Sequence, residues 1–311
     1  VISKEFIEKI ELGLKKRLDK VTVPGFKGRS IWQVGRFFAR SLYDEDLMLR
    51  ASSLAYNFFL SLFPALIFLF TLLPFIPIEG FQDDLLAQLE YLLPEDAYAT
   101  ILSTVEDILK GGSLSLLSFG FLFAIYFSSN AFNSMMAAFN KYIKEKDKRP
   151  WYSSRWRSVW LTFLISLIAV CVVLVITYAS LALDWIQSQT GFNANAYSFL
   201  LQVMQYLFLG LLIYLSISSL YYFGSSKVSK WHFFSPGSTL ATILAIITTT
   251  GFTFYVNNFD SYNKLYGSIG TVIVLMVLIY FNCLVLLIGF ELNSSIDHAR
   301  SVSEPLERRK K

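Results

Sequence analysis

Residues 50–77 read RASSLAYNFFLSLFPALIFLFTLLPFIP, and after Arg50 the stretch carries no charged side chain. At about 1.5 Å of rise per residue, a helix of this length crosses the roughly 30 Å hydrocarbon layer of a bilayer with some tilt. It reads as a first transmembrane helix. Asn57 and Ser61 sit four apart on one face, Pro64 follows in mid-span, and Pro74 and Pro77 punctuate the exit. Pro64 removes an N–H and loosens the carbonyl about one turn earlier, so a bend is expected and the freed backbone needs partners. The polar face has two readings: the wall of a cavity, or glue between packed helices.

The rest of the composition agrees with a membrane chain. Of 311 residues, 54% are hydrophobic and only 16% charged, well below the quarter usual in soluble domains. Cys171 and Cys283 both lie in apolar runs, which offers neither a disulfide framework nor a metal spacing. No short apolar segment near Val1 resembles a cleaved signal peptide.

The fold class expected is all-α: a polytopic membrane protein with six transmembrane helices, amphipathic N-terminal helices and short surface helices in an outer loop. Residues 1–49 form a basic arm. In it, Ile7, Ile10, Leu14, Leu18 and Val21 share one helical face and lysines occupy the other, a pattern suited to an anionic leaflet or to packing on the protein. Ser30 is placed to cap a second amphipathic stretch with Ile31, Val34, Phe38 and Leu42 on one side. The membrane domain covers residues 50–293, with spans at about 50–77, 113–140, 156–183, 197–223, 236–256 and 269–292. The loop 78–112 is acidic and carries two apolar stripes. Residues 294–311 form a basic cytoplasmic tail.

Orientation follows from the basic residues. All but Lys110 and Lys264 of the 27 Lys and Arg fall in the N-terminal segment through Arg50, in 141–157, in Lys227 and Lys230, or in the tail. The positive-inside rule then places both termini in the cytoplasm of a cell with its plasma membrane as the site.

Three motifs, RASSLAYNFFLSLFP at 50–64, YVNNFDSYNKLYGSIG at 255–270 and GFELN at 289–293, resemble the YihY/BrkB family of bacterial inner-membrane proteins, some members of which were formerly labelled ribonuclease BN. The similarity extends from about Trp32 to Asn293. It implies a six-span inner-membrane protein with cytoplasmic ends, for whose relatives transport or lipid-handling roles are proposed. Phe290 is a departure, standing where relatives often carry a small residue.

The residues argue against catalysis. His232 and His298 are the only histidines and have no carboxylate at a metal-site spacing. Neither a GxxxxGK[ST] phosphate loop nor a G-x-S-x-G elbow is present. No catalytic residue, cofactor or metal is expected, and no nucleic acid is expected as partner. Ionisable residues inside spans are scarce, which draws attention to Arg50 and Glu291 at similar depth on the first and last helices. They are predicted to pair, either as structure or as a gate.

Uncharged polar residues bias toward the cytoplasmic half: Asn57, Ser61, Ser129, Asn130 and Asn133, with Asn282 midway along the last helix, and Pro64 beside them. This set is a candidate pocket. Tyr262, Tyr266, Gly267 and Gly270 at the outer turn form a candidate lid or an aromatic interfacial belt. The function expected is a transporter or flippase-like protein for a lipid or amphiphilic solute. The alternative is a non-transporting scaffold for envelope biogenesis. Membrane lipids are the expected partners, together with a second copy of the chain or another envelope protein.

Overall fold

The computed structural model describes residues 31–43, 46–72, 114–140, 150–190, 194–226, 233–258 and 268–308, with single positions in 19–30 and at 102. The first amphipathic stretch up to residue 18, the acidic loop, and Tyr262, Tyr266 and Gly267 of the candidate lid lie outside these residues. Gly270 is described, buried in the first turn of the last helix.

Seven helices are described: α1 (Ile31–Leu42), α2 (Asp46–Leu72), α3 (Leu114–Asn140), α4 (Trp151–Thr190), α5 (Ala194–Gly224), α6 (Pro236–Asn258) and α7 (Ser268–Arg308). Ser30 caps α1: its hydroxyl oxygen accepts from the Gln33 N–H at 3.2 Å, and its own O–H donates to Asp19 at 2.8 Å. Gly25 holds φ at +92°, and a Cβ there would press on Pro236 at 2.7 Å. Glycine is therefore required where the arm crosses the start of α6. Helix α2 continues unbroken through Pro64.

Four described segments are long and apolar enough to cross a membrane: Trp151–Val172, Gln202–Gly224, Pro236–Val256 and Val272–Ser301. They lie in α4, α5, α6 and α7. This is a helical membrane protein. Helix α7, with 41 residues, is about 60 Å long, twice the hydrocarbon thickness. Its last third is therefore not a loose tail. It continues as helix and packs on α1, with Val34, Ile296 and Ala299 buried together and the Phe37 and His298 rings edge to face at 4.6 Å.

From α2 to α7 the helices pack in a closed circuit. Each touches the next in the order α2, α3, α4, α5, α6, α7, and α7 returns to α2. Across the ring, α3 reaches α5 and α7. Those cross-ring contacts involve Phe139, Tyr221, Gly224 and Phe290, all near the end of the bundle where α1 lies. The buried core is concentrated there: Ala51, Leu54 and Ala55 of α2, Met135, Met136 and Phe139 of α3, Ile217 to Tyr221 of α5, and Val285, Leu287 and Phe290 of α7.

Away from that end the packing loosens. On α5, every residue from Gln202 to Phe208 except the half-buried Gln205 is exposed. On α6, the same holds from Ile246 to Tyr255 except for Thr248 and Phe252. Successive residues are 100° apart on a helix, so such runs leave only one narrow strip of each helix covered. A helix packed on both ring neighbours would cover two.

Candidate functional site

The best-defined site is the layer that closes the packed end. Arg50, 6% exposed on α2, donates from Nη2 to Glu291 Oε1 of α7 at 2.9 Å and from Nη1 to the Ala138 carbonyl of α3 at 3.0 Å. One guanidinium thus ties three helices at a point. Its fork geometry suits this: two donors are spent on two different acceptors while the positive charge faces a carboxylate. Removing two charges from water is costly, and good geometry together with extra hydrogen bonds is what offsets it.

Directly beside the pair, Phe139 and Phe290 stack with centroids 4.2 Å apart and planes 6° from parallel. Tyr221 meets both edge-on, at 5.6 and 5.7 Å, and donates its hydroxyl to the Leu286 carbonyl at 2.6 Å. A buried phenol left without a partner would be destabilising, and here α7 supplies one. Phe290 is therefore a stacking partner in the seal.

The neighbouring residues of GFELN complete the layer. A Cβ on Gly289 would lie 2.6 Å from both the Gly237 carbonyl and Ala241, and a Cβ on Gly237 would fall on the Gly289 carbonyl oxygen. The backbones of α6 and α7 cross in contact, which only a glycine pair permits. Asn293 accepts from the Gly237 N–H at 2.8 Å and donates to Ser235 at 2.8 Å, satisfying the start of α6 from α7. Asn140 does the same for the end of α5: it donates to the Gly224 carbonyl at 3.0 Å and accepts from the Ser226 N–H at 2.8 Å. Helix ends leave such groups orphaned, and here side chains of neighbouring helices fill them.

The candidate pocket residues occupy a tier farther along the ring. Asn57, Asn130 and Asn282 stand seven, eight and nine residues from Arg50, Ala138 and Glu291, so about 10–14 Å from the ion pair. Asn57 donates to the Ser53 carbonyl at 2.8 Å, Ser61 to Phe58 at 2.7 Å, Ser129 to Tyr126 at 3.0 Å and Asn282 to Leu278 at 3.0 Å, each within its own helix. Asn133 accepts from Ser154 of α4 at 3.0 Å, and Asn282 accepts from Thr249 of α6 at 3.5 Å. Asn130 is half-buried. Polar side chains in membrane helices often bond their own backbone in this way.

Sequence reasoning passed over Phe139, Tyr221 and Gly237. An aromatic or a glycine in an apolar span carries no local mark of its partner. Asn293 and Asn140 carried one weak signal, an amide within a turn of the polar end of a long apolar helix. Among the described residues, no group of three His, Cys, Asp or Glu is arranged to hold a metal ion.

With this geometry in view, the chain matches the family model described as virulence factor BrkB over residues 38–311. The chain belongs to the BrkB family. The matched region takes in every helix that forms the sealed ring. Among BrkB relatives, it is similar to the ribonuclease-like protein YfkH of Bacillus subtilis, 29% identical over 255 residues that cover 82% of this chain and 92% of the relative. It is also similar to a UPF0761 membrane protein of Psychromonas ingrahamii, 26% identical with 93% of each chain covered, and to one of Vibrio campbellii, 24% identical with 88% and 84% covered. No solved structure matches it.

Proposed function

We propose that this BrkB protein spans a bacterial inner membrane six times, with both termini in the cytoplasm, and moves a lipid or other amphiphilic solute through the ring of α2 to α7. The observation that carries the reading is the contrast along the ring: a closed circuit of helices, sealed at the basic end by Arg50, Glu291, Phe139, Tyr221 and Phe290, with α5 and α6 uncovered around most of their circumference in the other half. Six apolar walls suit acyl chains, and the tier of Asn57, Asn130 and Asn282 beside the seal suits a polar headgroup. Arg50 and Glu291 act in this reading as the latch of the cytoplasmic gate. Movement is downhill or driven by a partner, since the reading assigns neither a proton-relay acid nor a nucleotide site within the spans. It assigns no catalytic residue and no cofactor.

The test is flux in proteoliposomes. Labelled phospholipids and amphiphilic solutes should cross faster than in protein-free vesicles, and Glu291→Gln should raise that rate by releasing the latch. Rates equal to those of empty vesicles across the panel would refute transport.

One observation favours a second reading, a scaffold for envelope biogenesis. The Asn57 amide donates to the Ser53 carbonyl and the Asn282 amide to the Leu278 carbonyl, each within its own helix. A scaffold predicts that Asn57→Ala, Asn130→Ala and Asn282→Ala leave growth unchanged, while a defined envelope protein co-purifies with the chain.

A further inference from the structure

The packing of α3 against α4 leaves a cation in an unusual setting. Arg155, in the second turn of α4, donates from Nη2 to the Tyr126 carbonyl of α3 at 3.2 Å, and its guanidinium carbon lies 4.7 Å over the Tyr126 ring. Among the described residues, no carboxylate pairs with it. This is the reverse of Arg50, whose charge is met by Glu291.

The direction of the side chain matters. Ser154, the residue before it, bonds Asn133, whereas Tyr126 is seven residues farther along α3, about 10 Å away from the sealed end. Arg155 therefore reaches toward the apolar half of the bundle rather than back to the basic end. Arginine stems in membrane helices ordinarily run toward water.

The surroundings are those of a bilayer interface. Trp151, Tyr152, Trp156 and Trp160 of α4 are 80, 64, 73 and 54% exposed, and Tyr126 itself is 58% exposed. Indole rings so placed sit at headgroup depth. Farther along the same helices, Phe123 and Leu122 of α3 and Phe163 of α4 are exposed as well, giving acyl chains a surface beside the guanidinium.

We infer that Arg155, held on Tyr126 within the Trp151–Trp160 belt, binds the phosphate of an anionic phospholipid on the lipid-facing side of α3 and α4. The carbonyl and the ring orient the guanidinium and neither neutralises it, and among the described residues no other group takes up its remaining N–H groups, for whose planar fork a phosphate is a suited acceptor. The site stands on the outer face of the ring and does not depend on transport. Its occupant is a lipid of the surrounding leaflet rather than a transported molecule.

Tryptophan quenching reads this directly. The 311-residue chain carrying Trp32→Phe, Trp185→Phe and Trp231→Phe keeps only the belt indoles, and it is titrated in mixed micelles with brominated phosphatidylglycerol or brominated phosphatidylcholine. The charged lipid should quench at about fivefold lower concentration, the factor expected for one interfacial cation. Arg155→Ala should erase that preference, with Arg155→Gln, which keeps an N–H donor for the Tyr126 carbonyl, as the neutral variant if the alanine form does not fold. Arg155→Lys should retain part of it. An undiminished preference in the neutral variants would overturn the assignment, as would full displacement of the brominated anionic lipid by inorganic phosphate at matched ionic strength, which would mean a soluble anion is the ligand.

Discussion

Replacing Glu291 by Gln keeps the shape of the side chain and removes the carboxylate charge that faces the Arg50 guanidinium, in a site where both side chains of the pair are only 6–7% exposed. Breaking one member of a buried pair costs about 3–5 kcal/mol, because a charge stays behind without its counter-charge. For a chain of this size each kcal/mol lowers the melting midpoint by roughly 1.5 °C, so the variant should melt about 5–8 °C below the parent. Arg50→Met should fall in the same range, since it strands the carboxylate. The double variant Arg50→Met with Glu291→Gln should recover most of the loss, because no charge remains to be stranded and apolar replacements of buried pairs are often neutral. The measurement is the thermal midpoint of detergent-solubilised protein by fluorescence-detected size exclusion at a fixed heating time. If the single variants melted within 2 °C of the parent, or the double variant lost the sum of both, the pair would not be the tie between α2, α3 and α7 described above.

Gly289→Ala should destabilise by about 1–3 kcal/mol or fail to assemble, because its Cβ would meet Ala241 and the Gly237 carbonyl at 2.6 Å; yield and thermal midpoint read this. Phe290→Ala removes a ring stacked on Phe139 and should cost about 3–5 kcal/mol in the same assay, while Phe290→Leu should cost less. Asn140→Ala leaves the Gly224 carbonyl and the Ser226 N–H without their side-chain partner and should cost about 1–3 kcal/mol, with faster hydrogen exchange confined to the end of α5. Cys283 is 3% exposed and Cys171 half-buried, so a small maleimide should modify Cys171 first in folded protein, by mass spectrometry of the labelled peptides.

Much of the architecture is legible in the sequence, for a physical reason. Backbone groups in hydrocarbon must be satisfied within the segment, so long uncharged runs can only be helices, and their lengths can be counted. Arg50 and Glu291 are legible as a pair because two ionisable residues at similar depth in otherwise uncharged spans need each other. The third partner, the Ala138 carbonyl, is not, since a backbone acceptor has no sequence signature. Nor does the sequence reveal the order of helices around the ring, because apolar faces in membrane helices are chemically alike toward lipid and toward protein. The length of α7 was hidden by its change of character at Asn293: its polar last third reads as a tail until α1 is seen to cover Ile296 and Ala299. The amides of Asn57 and Asn282 illustrate the other limit. Composition places them at one depth, but only coordinates show each donating to its own helix.

The central claim is a ring sealed at the basic end and open beyond it. A cysteine scan of Ile246 to Tyr255, with Ser218 and Leu287 as buried references, tests it in a cysteine-free background on intact cells using a membrane-impermeant thiol reagent. The account predicts a stripe of reactive positions recurring every three to four residues along α6, with Ser218 and Leu287 protected. Uniform protection along α6, equal to that of the buried references, would contradict it.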